Sequence, residues 1–371
     1  MSILPIYFIG QCLALDEHPS FREKIIAQFS DPGYDWNSFI WTGSNHLVLP
    51  AIYLKLRKHD LLGYLPEVLA HHLEEIHSLN HARNEQILLQ VRAINGTLNA
   101  AGISPIYLKG TGNLIDGIYE DAGERIIGDI DFLVPEKDYL AAAELFKNEG
   151  YTLCHPIDAP VEQAKHYPRL WKEDVTADLE IHRLVVPQRY TKHFSAELVQ
   201  GSKKAVTSYP GCYVLSDDHK VILNFIHSQL ANAGHALGVV SLRDVYDLYR
   251  FSKKVDLQQV SKVAPFRRQC ISWLKISEML LDLPDSFYPG ETIRSRLYRF
   301  KHDLVTTSSL VYKGNRFKWV LSEGKQFVAR WITESFSNST LRRENLNKIF
   351  SPAWHWRNLK IGLLLIKNGK S

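Results

Sequence analysis

The chain has 371 residues, of which 45% are hydrophobic and 23% are charged. This is the composition of a globular protein with apolar residues enough for two or three domains, so we expect it to fold without metal ions or disulfides. The formal net charge is +4, from 44 Lys and Arg against 40 Asp and Glu. So mild a balance does not indicate nucleic-acid binding, but it is compatible with anionic substrates.

The cysteines and the apolar segments point to an ordinary intracellular protein. The four cysteines are far apart and form no C-x-x-C pair, which argues against a zinc site and a disulfide framework. The apolar run from Ile3 to Leu15 has no basic start and no small-x-small cleavage site. Since no apolar stretch approaches the roughly 20 residues that span a bilayer, we expect a cytoplasmic protein with no membrane partner.

The first part of the chain is helical in character. Residues 35–83 carry apolar side chains at helical spacing, and four further apolar residues follow at i, i+4, i+7 and i+11: Ile87, Val91, Ile94 and Leu98. Gly102 stands where a helix C′ residue belongs, so we predict a helix over 84–101. Four histidines crowd residues 71–81 without an H-E-x-x-H motif, and we interpret them as a solvated surface rather than a zinc site.

The pattern changes to strands and turns after Gly102. Residues 103–108 form a short apolar run, and a turn with two glycines and the apolar positions of a helix follow it. Residues 126–134 alternate and predict a strand, which Pro135 ends. A helix over 137–148 and a short strand from Tyr151 come next.

A second alternating segment covers residues 175–185, and the chain is mainly helical beyond Ser216, a plausible N-cap. We therefore predict an α+β protein with a small mixed-sheet core flanked by helical regions. The predicted division is a helical N-terminal region over 1–84, an α/β core over 85–215 and a helical C-terminal region over 216–371.

Both alternating strands carry two acidic residues at i, i+2: Asp129 and Asp131 on one, and Asp178 and Glu180 on the other. This spacing puts both carboxylates on one face of a strand, so adjacent strands would gather up to four. Carboxylates this close together repel one another unless a cation lies among them. Oxygen ligands of this kind suit Mg²⁺ or Mn²⁺. The alternative is the solvent-facing edge of an amphipathic strand, although Asp and Glu are poor strand formers.

Three segments together resemble the uncharacterised nucleotidyltransferase family of the DNA polymerase beta-like superfamily. They are Leu108-Lys109-Gly110, the sequence R-I-I-G-D-I-D-F-L-V at 125–134, and L-E-I-H at 179–182. The resemblance covers residues from about 35 to 250. It implies a mixed-sheet nucleotidyltransferase core in which a glycine turn precedes a D-x-D strand and a later strand supplies a third carboxylate.

The resemblance also implies roles for the acidic residues. Asp129, Asp131 and Glu180 would be catalytic and would bind the metal, with Asp178 as the rival of Glu180. The cofactor would be Mg²⁺ or Mn²⁺, and the substrate a nucleoside triphosphate, with ATP as the expected donor.

Residues around the turn are candidates for nucleotide binding. Gly110 and Thr111 stand where the family has a Gly-Ser turn, although Thr replaces Ser and the gap to the D-x-D strand is long. Lys109 and Arg125 are expected to meet phosphate groups, with a solvated lysine and a structural salt bridge as the alternatives. His182 would orient the third carboxylate or contact substrate, or be a structural histidine.

We predict a metal-dependent nucleotidyltransferase that moves a nucleoside monophosphate to a hydroxyl-bearing acceptor, small molecule or macromolecule, with nucleic acid left open. Two alternatives remain: a catalytically inactive binding or regulatory protein of the same fold, and a toxin or antitoxin. His227 and the Arg243-Asp244 pair would close over the acceptor, or be a core histidine and a surface ion pair. The basic, aromatic tail over 342–367 would touch RNA or a membrane, or simply be solvated.

Overall fold

Along the chain, a seven-stranded mixed sheet follows an N-terminal group of helices and precedes a C-terminal group. The computed structural model describes residues 4–155 and 161–337, without the side chains of residue 163 and of 324–337. The predicted α+β class is confirmed. The basic tail over 342–367 lies outside the described residues.

Five helices precede the sheet: α1 (Pro5–Leu13), α2 (Pro19–Phe29), α3 (Trp36–Asn45), α4 (Leu49–Lys58) and α5 (Glu67–Ala100). The predicted helix over 84–101 is confirmed, but it is only the second half of the 34-residue α5. Its four apolar residues at helical spacing are buried, and Gly102 follows with φ +75°. The predicted domain boundary after residue 84 therefore falls inside a continuous helix.

The sheet consists of short strands: β1 (Ile106–Tyr107), β2 (Ile130–Leu133), β3 (Thr152–Leu153), β4 (Leu170–Trp171), β5 (Leu179–His182), β6 (Lys204–Ala205) and β7 (Tyr213–Val214). Their order is β3-β4-β5-β2-β1-β7-β6. The connecting helices are α6 (Lys109–Ile115), α7 (Tyr139–Asn148) and α8 (Ala196–Gly201). The two acid-bearing strands, β2 and β5, are parallel neighbours at the centre of the sheet.

Strand β2 is shorter than predicted because side chains of α5 form hydrogen bonds with the backbone of the segment that precedes it. The Arg83 guanidinium donates to the carbonyls of Ile127 and Gly128, and the Asn84 amide donates to the carbonyl of Arg125 at 2.8 Å. Backbone groups bonded in this way are not available to a neighbouring strand. The alternating pattern from residue 126 is therefore strand only from Ile130.

Strand β5 is shortened in the same way. The Gln90 side chain accepts a hydrogen bond from the Ala177 N–H at 3.0 Å and donates one to the Ala177 carbonyl at 2.7 Å. Both backbone groups of this residue are thereby satisfied by a helix side chain rather than by a strand partner. The pattern predicted from residue 175 becomes strand only at Leu179.

The helices after the sheet are α9 (Asp217–Phe225), a π-helical segment (Ile226–Ala231), α10 (Gly234–Leu237), α11 (Leu242–Ser252), α12 (Leu257–Val263), α13 (Arg267–Leu280), α14 (Ile293–Thr307) and α15 (Ser309–Ser337). The predicted helical region is confirmed as far as residue 337. Ser216 is the N-cap of α9, but its hydroxyl makes no capping bond. Among the described residues, none of the helices has the length and apolar character that crossing a membrane requires.

Two hydrophobic clusters hold the chain together. The first joins the N-terminal helices to the C-terminal ones, with Ile9 and Ile52 in the same cluster as Trp273. Here α1 lies so close to α13 that a Cβ on Gly10 would be 1.6 Å from the Leu280 carbonyl oxygen. The second cluster lies between the sheet, α7 and the second half of α5. The two outer helical regions thus share one core, and the three-part domain division stays a prediction.

The histidine-rich part of α5 is only partly the solvated surface that we expected. His71 and His72 are exposed, but His77 is buried and its Nε2 lies 2.9 Å from an Asp121 carboxylate oxygen. The neighbouring Asn80 amide donates to the Gly123 carbonyl at 2.7 Å. The interpretation is therefore wrong for His77, because this side chain anchors the loop that leads to β2.

Candidate functional site

Asp131 and Glu180 lie side by side because β2 and β5 pair in parallel with these two residues in register. His182 follows two residues later on the same face of β5. Its Nε2 atom is 2.8 Å from Asp131 Oδ1 and 3.0 Å from Glu180 Oε2. All three side chains are buried, and their potential ligand atoms lie within 4.8 Å of one another.

The Lys109 amine lies between the two carboxylates. It donates to Asp131 Oδ1 at 2.5 Å and to Glu180 Oε2 at 3.3 Å. Lys109 is the first residue of α6 and has φ +50°, a left-handed conformation that costs a non-glycine residue about 1 kcal/mol or more. The backbone is thus strained at the residue that brings a positive charge to the acidic cluster.

The charged groups of the cluster shift one another's pKa values. Burial would raise the pKa of Glu180, but the hydrogen bond with His182 and the charge of Lys109 outweigh it and hold this pKa below its ordinary value. Burial would lower the pKa of Lys109, and the two carboxylates raise it instead. Lys109 and Glu180 are therefore charged at neutral pH, and an ionised Glu180 is what a cation-binding cluster requires.

Asp129 and Arg169 form an ion pair at the edge of the cluster. Asp129 precedes β2, and its Oδ2 accepts a hydrogen bond from Arg169 Nη2 at 2.8 Å. Burial and the nearby charge of Asp131 raise the pKa of Asp129 to about 6. Arg169 Nη2 also lies 3.7 Å from Glu180 Oε1, so one guanidinium approaches two of the predicted metal ligands.

The structure separates the two candidates for the third carboxylate. Glu180 faces Asp131, whereas Asp178 is partly exposed and lies 4.0 Å from Arg169 Nη1 and 3.7 Å from the Cys154 sulfur. Asp178 does not line the cavity described next. Of the two, Glu180 is the one that shares the buried cluster.

The cluster opens into a cavity of about 700 Å³, and a second cavity of about 470 Å³ adjoins it. Five residues line both: Lys109, Gly110, Arg125, His227 and Arg243. Burial and the charge of Lys109 lower the pKa of His227 to about 3, so its imidazole is neutral at pH 7. His227 and Arg243, which the sequence offered either as residues that close over an acceptor or as a core histidine and part of a surface ion pair, both line the cavity of the acidic cluster.

Thr111 and Arg125, which we predicted to bind nucleotide, form hydrogen bonds with other groups of the protein. The Thr111 hydroxyl is buried and donates to the Asp129 carbonyl at 2.9 Å, so it braces the start of β2. The Arg125 guanidinium forms a two-pronged ion pair with Asp247 on α11. Gly110 lines both cavities, whereas the Gly112 N–H donates to the Leu108 carbonyl at 3.0 Å and is not available to a phosphate.

Sequence reasoning missed two residues of the site, Arg169 and His166. His166 Nε2 lies 3.8 Å from Glu180 Oε1, and its ring centre is 5.2 Å from that of His182. Both residues come from the segment before β4, which pairs with β5 in antiparallel orientation. The local signal in this segment is the apolar pair of β4, Leu170 and Trp171. Two residues are too few to predict a strand from an alternating pattern.

The donor atoms of the cluster fit a divalent cation. Asp131 and Glu180 offer carboxylate oxygens, and His182 offers a ring nitrogen, at one buried point. The Lys109 ammonium, held by both carboxylates, shows that this point attracts positive charge. Carboxylate oxygens suit Mg²⁺ and Mn²⁺. His182, for which the sequence left open a role beside a carboxylate or substrate and a structural role, joins this donor set, and Asp129 lies beside it.

Comparison with known proteins agrees with this geometry. No curated protein matches the chain. The model of one family, described as uncharacterised nucleotidyltransferase, matches residues 32–287, well over half of the 371 residues and all of the sheet. The matched range contains the D-x-D strand, the L-E-I-H segment at 179–182 and the turn at Lys109, which are the three segments that carry the resemblance. The chain therefore belongs to the uncharacterised nucleotidyltransferase family.

Proposed function

We propose that this protein is a metal-dependent nucleotidyltransferase that transfers a nucleoside monophosphate from a nucleoside triphosphate, with ATP as the expected donor, to a hydroxyl-bearing acceptor. One observation carries the proposal. Parallel strands set Asp131 against Glu180 at the floor of a cavity that is also lined by Lys109, Arg169 and Arg243. The carboxylates at the floor of the cavity would hold a divalent metal ion, and the cationic side chains around them would bind the phosphate groups of a metal-bound triphosphate.

The metal would be held by Asp131 and Glu180, with His182 or Asp129 as a further ligand. A bound Mg²⁺ or Mn²⁺ would neutralise charge on the phosphate oxygens and lower the pKa of the acceptor hydroxyl. These residues are fixed before substrate arrives, because neighbouring strands hold their backbones and burial restricts their side chains.

The cationic side chains would bind the phosphate groups. Lys109 and Arg169 now pair with the carboxylates, and both can turn to phosphate oxygens when the carboxylates are otherwise neutralised. Arg243 has an Nε that makes no hydrogen bond among the described residues and lies 3.7 Å from Asp244. These three side chains would orient the triphosphate across the cavity.

The reaction would be an in-line displacement at the α-phosphorus. A bond forms between the acceptor oxygen and phosphorus, the bond to the leaving pyrophosphate breaks, and the hydroxyl proton passes to a base. Glu180, which lines the larger cavity beside Asp131, would ligate the metal or take this proton.

The experiment is a calorimetric titration of the full chain with ATP, GTP, CTP and UTP, each with and without Mg²⁺. Asp131→Asn and Glu180→Gln test the cluster. Asp178→Asn is the matched control, since it removes a charge immediately before β5 and outside the cavity. We expect Mg²⁺-dependent binding of one nucleotide, lost in Asp131→Asn and kept in the control. Glu180→Gln keeps an amide oxygen in the donor set, so it should still bind the nucleotide with Mg²⁺, and slower release of pyrophosphate would show the loss of the base.

One observation favours a second candidate, an inactive binding or regulatory protein. The Lys109 amine already neutralises Asp131 and Glu180, as a permanent substitute for a metal would. Such a protein would bind no nucleotide in a Mg²⁺-dependent way, and Lys109→Met would destabilise it. The titration separates the two candidates, because only the enzyme gains nucleotide affinity when Mg²⁺ is added.

A further inference from the structure

Helix α14 presents an apolar face to solvent. Four large apolar side chains recur along it at i, i+4, i+7 and i+11, and the first three are 78%, 63% and 62% exposed: Ile293, Leu297, Phe300 and Leu304. The opposite face of the helix holds the buried Tyr298 and His302. We call the four exposed residues the outer stripe. Since α14 already buries its inner face, the outer stripe is not part of the core.

Helix α15 continues this pattern next to α14. Its described part exposes half or more of Leu310, Phe317 and Leu321, which are spaced at i, i+7 and i+11 and so share one face. Contiguous exposed apolar residues of this kind mark interaction surfaces in proteins. Both helices therefore have an outward apolar face.

Basic residues border the outer stripe. By helical spacing, Arg294 and Lys301 lie along one edge of it, and the only acid of α14, Asp303, accepts a hydrogen bond from the Tyr7 hydroxyl at 2.5 Å. Residues 264–371 have 19 Lys and Arg against 8 Asp and Glu, a net charge of +11. Residues 1–263 have 25 against 32, a net charge of −7. The mild overall charge thus hides a strongly basic C-terminal part.

A basic cavity of about 710 Å³ adjoins the stripe. It is lined by Leu297 of the stripe and by cationic and polar side chains that include Arg268, Arg294, Lys301 and His235. Arg268 and Arg294 form no ion pair with any side chain that the structure describes, and no acidic residue lines the cavity. The cavity therefore offers two unpaired guanidinium groups to an anion beside an apolar surface.

We propose that the outer stripe and this cavity dock the protein on a membrane surface that contains anionic lipids. Acyl chains would cover the stripe, and lipid phosphate groups would meet the guanidinium groups of the cavity. Interfacial docking needs no spanning helix, and it departs from the absence of a membrane partner that the sequence led us to expect.

Other occupants fit the same surface less well. A second copy would bring two basic surfaces together, and the composition of residues 338–371, 7 Lys and Arg against one Glu, offers no complementary charge. Nucleic acid stacks on aromatic rings, whereas Phe300 is the only aromatic residue of the outer stripe. Anionic lipid supplies both the apolar cover and the negative charge.

The test is sedimentation of the full chain with vesicles of phosphatidylcholine alone or of equal parts phosphatidylcholine and phosphatidylglycerol. We expect binding to the mixed vesicles only, weakened by salt. The Leu297→Asp/Phe300→Asp variant should partition at least roughly tenfold less, and each of Arg268→Ala and Arg294→Ala roughly fivefold less.

Two controls make the result specific. Val68→Asp/Leu79→Asp introduces the same two charges at exposed apolar positions of α5, and it should bind vesicles as the wild type does. Thermal unfolding should show that every variant is folded. Equal binding to neutral vesicles, or wild-type binding by Leu297→Asp/Phe300→Asp, would overturn the proposal. So would a dimer in sedimentation velocity that this variant dissociates while no vesicle binding occurs, because a second copy would then cover the stripe.

Discussion

Arg125 and Asp247 form a buried ion pair between the end of the sheet core and helix α11. Arg125 Nε lies 3.0 Å from Oδ1 of Asp247, and Nη2 lies 3.0 Å from Oδ2. Asp247 also accepts a hydrogen bond from the Tyr119 hydroxyl at 2.7 Å. This arrangement matches the structural salt bridge that the sequence left open for Arg125 beside phosphate binding, and replacing the arginine distinguishes the two.

Arg125→Met should lower the free energy of unfolding because it leaves the Asp247 carboxylate without its partner. Asp247 would keep one hydrogen bond, from Tyr119, and would be a buried carboxylate without a counter-charge. Removing one partner of a buried pair costs about 3–5 kcal/mol, out of a total stability of roughly 5–15 kcal/mol. For a chain of this length, the melting midpoint should fall by roughly 4–6 °C.

Circular-dichroism melting of Arg125→Met, Asp247→Leu and the double variant measures this coupling. The double variant leaves neither charge buried, so we expect it to recover most of the stability that each single variant loses. Nucleotide binding should persist in Arg125→Met below its melting range. The reasoning is refuted if Arg125→Met melts like the wild type but no longer binds nucleotide, because the guanidinium would then serve the phosphate.

Three further predictions concern packing and pH. Gly10→Ala should lower the free energy of unfolding in urea by about 3 kcal/mol or more, since its Cβ would meet the Leu280 carbonyl; an unchanged urea midpoint would contradict this. Gly112→Ala should cost about 1–3 kcal/mol, because its Cβ would lie 2.5 Å from the Tyr107 carbonyl oxygen, and wild-type stability would show that α6 shifts freely. Burial lowers the pKa of His46 to about 4, so the unfolded chain binds a proton between pH 6.5 and 4 that the folded chain does not. Stability from this group is present above pH 6.5 and is lost as pH falls towards 4, so His46→Asn should lose less stability than the wild type between pH 7 and pH 4.5.

The acidic centre of the site could be predicted from the sequence because it depends on local spacing. Asp131 and Glu180 each stand in an alternating segment, and an i, i+2 spacing fixes the face without knowledge of the fold. That the two strands are neighbours follows from the family resemblance, and the register of β2 with β5 confirms it. The spacing did not show that the Lys109 amine lies between the carboxylates, because this depends on a left-handed backbone at that residue.

Arg169 and His166 could not be predicted, because their places in the site depend on long-range pairings. Leu170 of β4 pairs with Leu179 of β5, which brings Arg169 to Asp129, and a separate bridge pairs His166 with His182. A two-residue strand has no period, so nothing local fixes its partner. Residues of this kind become visible only when the sheet order is known.

The polar residues of α5 show what a simple amphipathic interpretation omits. Asn80 and Asn84 continue the line of Ile87 and Val91 at i, i+4, i+7 and i+11, so they face the protein interior at positions where the pattern calls for apolar side chains. An amide at such a position requires a buried hydrogen-bond partner. Both find one in backbone carbonyls of the segment that leads to β2. A polar residue in line with an apolar stripe therefore indicates that irregular backbone is held there, and in this protein that backbone carries Asp129 and Asp131 into the site.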